Sequence, residues 1–142
     1  GRADVVVAKL DASNEKLLCT VNKPKARYSL NEILQGIRRF RSEFSGKLAL
    51  QMMFVAANKE VAPQMAKIAE QLSPDEVQLN TPLRHCAVKP LTRGDISAIK
   101  REFLMVKRVV TVYEASRPEV VPLNAKETLR RRPEQERRVY GS

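Results

Sequence analysis

Four short runs with the pattern of β-strands, separated by segments with a helical repeat, constrain the fold of this chain more than any other feature; three runs are largely apolar, and the third along the chain alternates apolar with polar residues. The runs lie at residues 4–10, 48–56, 76–80 and 108–115. The first of them, Val5-Val6-Val7-Ala8, is continuously apolar, which is typical of a strand covered on both faces. Strands that alternate with helices pair in parallel through right-handed crossovers. The pattern therefore predicts an α/β fold with about four parallel strands.

The segments between the runs carry helix signals. The clearest helix is predicted from Tyr28 to Phe44, with Gly46 as its C-terminal stop, and Ser29 and Glu32 have the spacing of a capping box. A further helix is predicted around residues 14–21, and Asn22-Lys23-Pro24 stops it. Two more are predicted, one up to Leu72 with Pro63 in the first turn and one from Thr92 onwards. Apolar residues recur at helical spacing in the longest of these segments, namely at Leu30, Ile33, Leu34, Ile37, Phe40 and Phe44.

Composition changes near the carboxyl end of the chain. Residues 130–138 are almost all charged and have no apolar period. We therefore predict two parts: an α/β unit over residues 1–116, and an extended, charged tail over residues 117–142 with a short helix from Ala125 to Arg132. Four parallel strands cannot close a barrel by themselves. The unit is either a small open sheet or part of a larger barrel, and a start at Gly1 rather than Met favours a piece of a longer protein.

Composition limits the classes of function. The net charge is +10, with 26 Lys and Arg against 16 Asp and Glu, which favours nucleic acid or a phosphorylated ligand as a partner. The two cysteines, Cys19 and Cys86, lie far apart without a CxxC motif, which indicates a reducing compartment and hence the cytoplasm. No apolar run approaches the ~20 residues of a transmembrane helix, so no membrane association is expected.

The third strand carries the most informative polar groups. The segment Val77-Gln78-Leu79-Asn80-Thr81-Pro82-Leu83-Arg84 begins as a strand and ends in polar side chains. Ligands of parallel α/β sheets bind at the carboxyl ends of the strands, where these residues would lie. Other polar groups predicted at this edge are Lys9, Asp11, Gln51, Asn58 and Glu114. They indicate one shared site, although a strand that simply runs into a solvated loop is an equally valid interpretation. The sequence contains no phosphate-binding glycine motif and no evident nucleophile–base pair.

Several segments together resemble the C-terminal half of radical SAM proteins, the iron–sulfur oxidoreductases that include the wybutosine-synthesis enzymes. The resemblance covers roughly residues 3–115 and is most specific at residues 75–84. Its segments are VVVAKLDA, VNKP, SLNEI, LQMMFV and VQLNTPLR. The resemblance implies a partial, half TIM-like β/α barrel that binds S-adenosylmethionine on a 4Fe-4S cluster.

The chain departs from that family at two places. It has neither the CxxxCxxC cluster motif nor the glycine-rich segment that holds the methionine group. We therefore expect the chain alone to bind no cofactor and to be inactive without the missing N-terminal barrel half. The resemblance implies cofactor contacts at Lys9, Asp11, Val55, Asn58, Gln78 and Asn80, and substrate contacts at Gln51, Thr81 and Arg84.

Each of these assignments has a structural alternative. Asp11 and Asn58 could cap the helices that follow them, and Lys9 could be an ordinary charge at a strand end. The whole chain could instead be a basic RNA-binding module that uses Arg38, Arg39, Arg41 and the tail, or a non-catalytic α/β domain. A half barrel would also leave its first strand with a free apolar edge. We expect the tail, a second copy of the chain or a swapped element to cover that edge.

Overall fold

The structure is a computed structural model that describes residues 3–24, 28–83 and 88–115. The four strands are β1 (Val5–Lys9), β2 (Lys47–Met53), β3 (Glu76–Asn80) and β4 (Val109–Thr111). The helices are α1 (Glu15–Leu17), which continues into a π-helical turn (Leu18–Asn22), α2 (Leu30–Glu43), α3 (Ala62–Leu72), which follows a 3₁₀ turn (Lys59–Val61), and α4 (Arg93–Glu102). None of the described helices is long and apolar enough to cross a bilayer.

The strands form one open sheet that does not close into a barrel. Their spatial order is β1-β2-β3-β4, and every neighbouring pair is parallel. Because each crossover moves to the next strand in the same direction and is right-handed, the connecting helices all lie on one face. This order is also that of neighbouring strands in a β/α barrel. The predicted α/β fold with four parallel strands is confirmed.

One face of the sheet carries the hydrophobic core. Alternate strand residues on this face, together with the inner stripes of α2, α3 and α4, form one buried cluster. Phe54 packs edge to face against Phe103, with ring centroids 6.4 Å apart. The strand residues of this covered face are Val6, Ala8, Leu48, Leu50, Met52, Val77, Leu79, Val109 and Thr111.

The opposite face of the sheet has no such cover among the described residues. Val5 is 53% exposed and Val7 is 49% exposed. Ala49, on the neighbouring strand, is buried, but no strand residue of this face belongs to the cluster that packs against the helices. The prediction that β1 is covered on both faces was therefore wrong for the described part of the chain. We call this surface the open face; its strand residues are Val5, Val7, Lys9, Lys47, Ala49, Gln51, Met53, Glu76, Gln78, Asn80 and Val110.

The helix caps follow from the sequence. The Ser29 hydroxyl accepts a hydrogen bond from the Glu32 amide, and the Glu32 carboxylate accepts one from the Ser29 amide, so the predicted capping box is confirmed. Thr92 and Asp95 form the same arrangement at the start of α4. Pro63 lies in the first turn of α3. Amide groups in the first turn have no acceptor within the helix, so the missing amide hydrogen of proline costs no hydrogen bond there.

Three sequence predictions need correction. β4 ends at Thr111 rather than Ala115, because the amides of Glu114 and Ala115 both bond back to the Thr111 carbonyl and turn the chain. The first helix is only one turn long before it widens into the π-helical turn. Gly46 does not end α2 with a left-handed residue; instead, a Cβ there would lie 2.8 Å from the Asp4 carbonyl oxygen, so the close approach of β1 requires glycine. The predicted tail at residues 117–142 lies outside the described residues.

Candidate functional site at the carboxyl edge

Asp11 joins the carboxyl ends of β1 and β2. The residue is only 3% exposed, and its Oδ1 accepts a hydrogen bond of 2.8 Å from the Met53 amide. Its Oδ2 accepts a second bond of 2.8 Å from Asn22 Nδ2 and lies 3.4 Å from Lys9 Nζ. A buried carboxylate needs such partners, because an unpaired charge is costly to remove from water. Asp11 therefore fixes this corner of the sheet.

Asn58 completes the same corner. Its Nδ2 donates to the carbonyl oxygens of Asp11 at 3.0 Å and Met53 at 2.9 Å, and its Oδ1 accepts from the Val55 amide at 2.8 Å. Both amide hydrogens of this residue, which is 1% exposed, are thus in use. Asn58 does not cap the following helical turn with its side chain. It holds the β2–α3 loop against β1.

Thr81 plays a comparable part next to β3. Its buried hydroxyl accepts a hydrogen bond of 2.8 Å from the Leu91 amide. The Tyr113 hydroxyl donates to the Leu91 carbonyl at 2.6 Å, so the backbone of Leu91 is held from both sides. Arg93 lies over the Tyr113 ring at 4.9 Å and adds a cation–π contact. These bonds position the segment that enters α4.

Four polar side chains of the open face keep hydrogen-bonding capacity: Lys9, Gln51, Gln78 and Asn80. We call them the open-face cluster. Gln51 Nε2 donates to Gln78 Oε1 at a long 3.5 Å, and Gln78 Nε2 donates to Glu76 Oε1 at 2.9 Å. Each glutamine amide therefore retains a second hydrogen, and the Asn80 amide has no side-chain bond within the described chain. The Lys9 side chain, 57% exposed, lies at the same edge.

The cluster is suited to recognition rather than to acid–base chemistry. It combines neutral amides with one ammonium group, and its one carboxylate neighbour on the open face, Glu76, is paired with Arg108 at 3.0 Å. No group of three or more His, Cys, Asp or Glu residues that could hold a metal occurs in the described ranges. Cys19 is exposed on the π-helical turn.

The carboxylates with shifted pKa values all serve structural contacts. A hydrogen bond from the Leu48 amide, with help from Arg41, lowers the pKa of Asp75. Hydrogen bonds from Thr92 lower the pKa of Asp95, and Lys100 with the Thr111 amide lowers that of Glu114. Hydrogen bonds from Ser29 likewise lower the pKa of Glu32 in the capping box of α2. None of the four carboxylates lies on the open face, so these shifts identify no catalytic acid or base there.

The structure thus separates the sequence-predicted site residues into two groups. Asp11, Asn58 and Thr81 are buried and hold the backbone, whereas the open-face cluster presents its side chains. The backbone amide and carbonyl of Val55 both form hydrogen bonds within its own loop, so only its half-buried side chain is available to contact a ligand. Arg84 lies outside the described residues. The sheet brings the others to one edge, as the parallel arrangement predicts.

Sequence reasoning missed two members of this edge. Asn22 was interpreted only as part of a helix stop, yet it donates to Asp11 across the β1–α2 connection. Tyr113 was assigned to a strand, yet its hydroxyl holds Leu91. Local sequence gives no signal for Asn22, because its partner is eleven residues away. A tyrosine at the end of an otherwise aliphatic strand was the one available hint for Tyr113.

Comparisons with known proteins give remote similarity. The chain is 28% identical over 110 residues to a UPF0026 protein of Methanocaldococcus jannaschii and covers 34% of it. It is 36% identical over 92 residues to a UPF0026 protein of Synechocystis, again covering 34%. It is also 27% identical over 107 residues to the GTPase Obg of Brachyspira hyodysenteriae, of which it covers 16%. These matches cover 75%, 64% and 71% of this chain, respectively.

The chain spans about a third of the length of the two UPF0026 relatives. No protein-family model and no solved structure matches it.

Proposed function

We propose that this chain is the C-terminal part of a radical SAM enzyme, a cytoplasmic oxidoreductase that depends on S-adenosylmethionine and a 4Fe-4S cluster. Its substrate is unidentified, and the chain alone is inactive. The observation that carries the proposal is a parallel sheet with one uncovered face, whose carboxyl edge displays polar side chains with free hydrogen-bonding capacity.

A parallel sheet is ordinarily covered on both faces. The half-exposed valines of β1 leave apolar surface in water, which other polypeptide would remove. The UPF0026 relatives are long enough to supply it, since the matched part is only 34% of each. In this proposal an N-terminal barrel half completes the sheet beyond β1 and forms the opposite wall of the site.

The residues present do not fit a 4Fe-4S cluster. Such clusters are held by several cysteine thiolates. The sequence has no CxxxCxxC motif, and the described ranges hold no metal-ligating group. We therefore assign the cluster to the other barrel half.

The open-face cluster does fit a polar, heterocyclic cofactor. Amides of Gln51, Gln78 and Asn80 can donate to and accept from an adenine or ribose, and Lys9 can pair with a carboxylate. The Val55 side chain offers an apolar contact. Asp11, Asn58 and Thr81 contribute by fixing the backbone beneath these groups, and Arg84 remains a proposed substrate contact. The chemistry supplied by the bound cofactor is a carbon-centred radical formed by reductive cleavage.

Because the chain alone is expected to bind no cofactor, a titration with S-adenosylmethionine of the ¹⁵N-labelled chain joined to its N-terminal barrel half tests this assignment. We expect the side-chain amide signals of Gln51, Gln78 and Asn80 to shift together, while that of Gln64 on the outer surface of α3 stays unchanged. Equal shifts at Gln64, or shifts confined to the helices, would contradict the assignment. An iron-containing, coloured preparation of this chain would contradict the placement of the cluster elsewhere.

The net charge of +10 favours a second candidate, a basic RNA-binding module. The predicted arginine cluster supports it poorly, because Arg39 pairs with Glu43 at 3.0 Å and Arg41 with Asp75 at 3.1 Å. Titration with tRNA at two salt concentrations separates the candidates: binding that weakens steeply with salt favours RNA binding, and absence of binding rejects it.

The similarity to the GTPase Obg does not lead us to propose nucleotide binding, because the sequence lacks the GxxxxGK[ST] phosphate loop.

A further inference from the structure

Two consecutive apolar side chains protrude where α4 turns into β4. Leu104 is 82% exposed and Met105 is 75% exposed, the highest values among the large hydrophobic residues of the described chain. They lie at the amino edge of the sheet, opposite the open-face cluster. Exposed apolar residues that sit side by side mark contact surfaces more often than isolated ones do.

A groove lies directly beside this protrusion, between α3 and α4. Its walls include the apolar residues Pro63, Ala66, Phe103 and Val106, and its volume is about 150 Å³. An apolar cavity of about 150 Å³ in another protein accepts a benzene molecule, so this groove has room for the four side-chain carbons of a leucine. The protrusion and a groove that fits it therefore occupy the same surface.

The rim of the groove carries both signs of charge. Lys67 and Glu70 line it from α3, and Glu102 lines it from α4. A surface that contains a protrusion, a matching groove and both charges can be complementary to itself about a two-fold axis. In a two-fold arrangement of two copies, Lys67 of each copy can face a glutamate on the opposite rim.

We propose that a second copy of this chain docks here, with Leu104 of each copy inserted into the groove of the other. Met105 and Val106 pack around each inserted leucine, and Lys67 faces the glutamates of the opposite rim. The surface is small, so we expect a dimer with a micromolar dissociation constant. This interface is separate from the open face and goes beyond the proposed enzymatic function.

Sedimentation equilibrium of the full chain tests the proposal. We expect a concentration-dependent monomer–dimer equilibrium, and Leu104→Asp should raise the dissociation constant at least tenfold by placing a charge in an apolar groove. Leu104→Met keeps the apolar volume and should retain the dimer. Val7→Asp, which changes an exposed valine on the open face, is the matched control and should leave the dimer unchanged.

Three outcomes would overturn the proposal. The first is a chain that stays monomeric into the high-micromolar range. The second is a dimer that Val7→Asp dissociates and Leu104→Asp does not, which would place the interface on the open face. The third is a monomer in which the Leu104 methyl groups contact residues beyond Ser116, which would make the chain's own tail the occupant. None of these results bears on cofactor binding, so the two proposals fail independently.

Discussion

The two faces of the sheet are built from the same strands but have opposite characters. On the covered face, Leu50, Val77 and Leu79 are fully buried beneath the helices. On the open face, their strand neighbours Gln51 and Gln78 are only partly buried, and Val5 and Val7 remain about half exposed. Because side chains alternate along a strand, one residue of displacement separates the protein's core from its candidate site.

This difference shows where stability and function can be altered separately. Changes on the covered face create cavities in a packed core, whereas changes on the open face touch side chains with unused hydrogen-bonding capacity. At the carboxyl edge the two roles meet, since Asp11 and Asn58 are structural and lie beside the open-face cluster. The predictions below test this division, beginning with the largest expected effect.

Asn58→Ala should lower the free energy of unfolding by about 3 kcal/mol. The substitution leaves the Val55 amide and the carbonyl oxygens of Asp11 and Met53 without their partner in a buried position. Urea unfolding followed by circular dichroism measures the loss. Gln64→Ala, on an exposed position of α3, is the control and should change the value by less than about 0.5 kcal/mol. Equal losses of stability in Asn58→Ala and Gln64→Ala would contradict the structural role of Asn58.

Val77→Ala and Val5→Ala compare the same substitution on the two faces. Val77 is 0% exposed and lies in the core, so its loss should cost about 2 kcal/mol from transfer and cavity effects. Val5 is 53% exposed, and its loss should cost less than about 0.5 kcal/mol. The same urea experiment measures both. A cost at Val5 as large as that at Val77 would mean that the open face is covered in solution.

Acid should destabilise the protein through carboxylates away from the open face. The pKa of Asp75 is lowered from 3.8 by the Leu48 amide and then by Arg41, so the folded protein holds its proton less tightly than the unfolded chain. The stabilisation is therefore complete above the unfolded pKa and is lost as the pH falls through the lower, folded pKa. Thermal unfolding across this acidic range measures it.

Asp75→Asn is the matching variant for this pH dependence. It should flatten the acidic limb while leaving the melting temperature nearly independent of pH near neutrality. An unchanged acidic limb would assign the effect to the other carboxylates whose pKa values are lowered, namely Glu32, Asp95 and Glu114.

Gln78→Ala should have the smallest effect on folding. Its side chain contacts only Gln51 and Glu76 on the open face, so we expect a change of less than about 0.5 kcal/mol in the free energy of unfolding. In the chain joined to its N-terminal barrel half, the same variant should nevertheless weaken the spectral response to S-adenosylmethionine. Gln71→Ala, on the exposed side of α3, serves as the control. A large loss of stability would make Gln78 a structural residue instead.

Much of the architecture was predictable because its signals are local. Capping pairs such as Thr92 and Asp95, the apolar stripe of the long helix and the apolar strands each lie within a few residues of one another. Parallel pairing then followed from the alternation of strands and helices. The shorter β4 and the broken first helix were missed, because backbone bonds at Thr111 and the widened turn after Leu17 compete with the local pattern.

The candidate site was predictable in position but not in detail. The parallel register sets Lys9, Gln51 and Gln78 side by side on the open face, near the carboxyl edge that the sequence indicated. Some polar side chains are buried and bond to the backbone, whereas others face outward. This division depends on contacts between residues distant in the chain, such as that of Asp11 with Asn22, which no local pattern encodes.

By itself, the sequence determined the elements, their order and the chemistry of the strand ends, because periodicity and capping act over a few neighbouring residues. Only the tertiary structure decided that one face of the sheet is packed and the other open, and that Asn58 holds the backbone while Gln78 presents its amide. The reason is that burial is a property of what lies above a side chain, and the residues that cover it are distant in the chain.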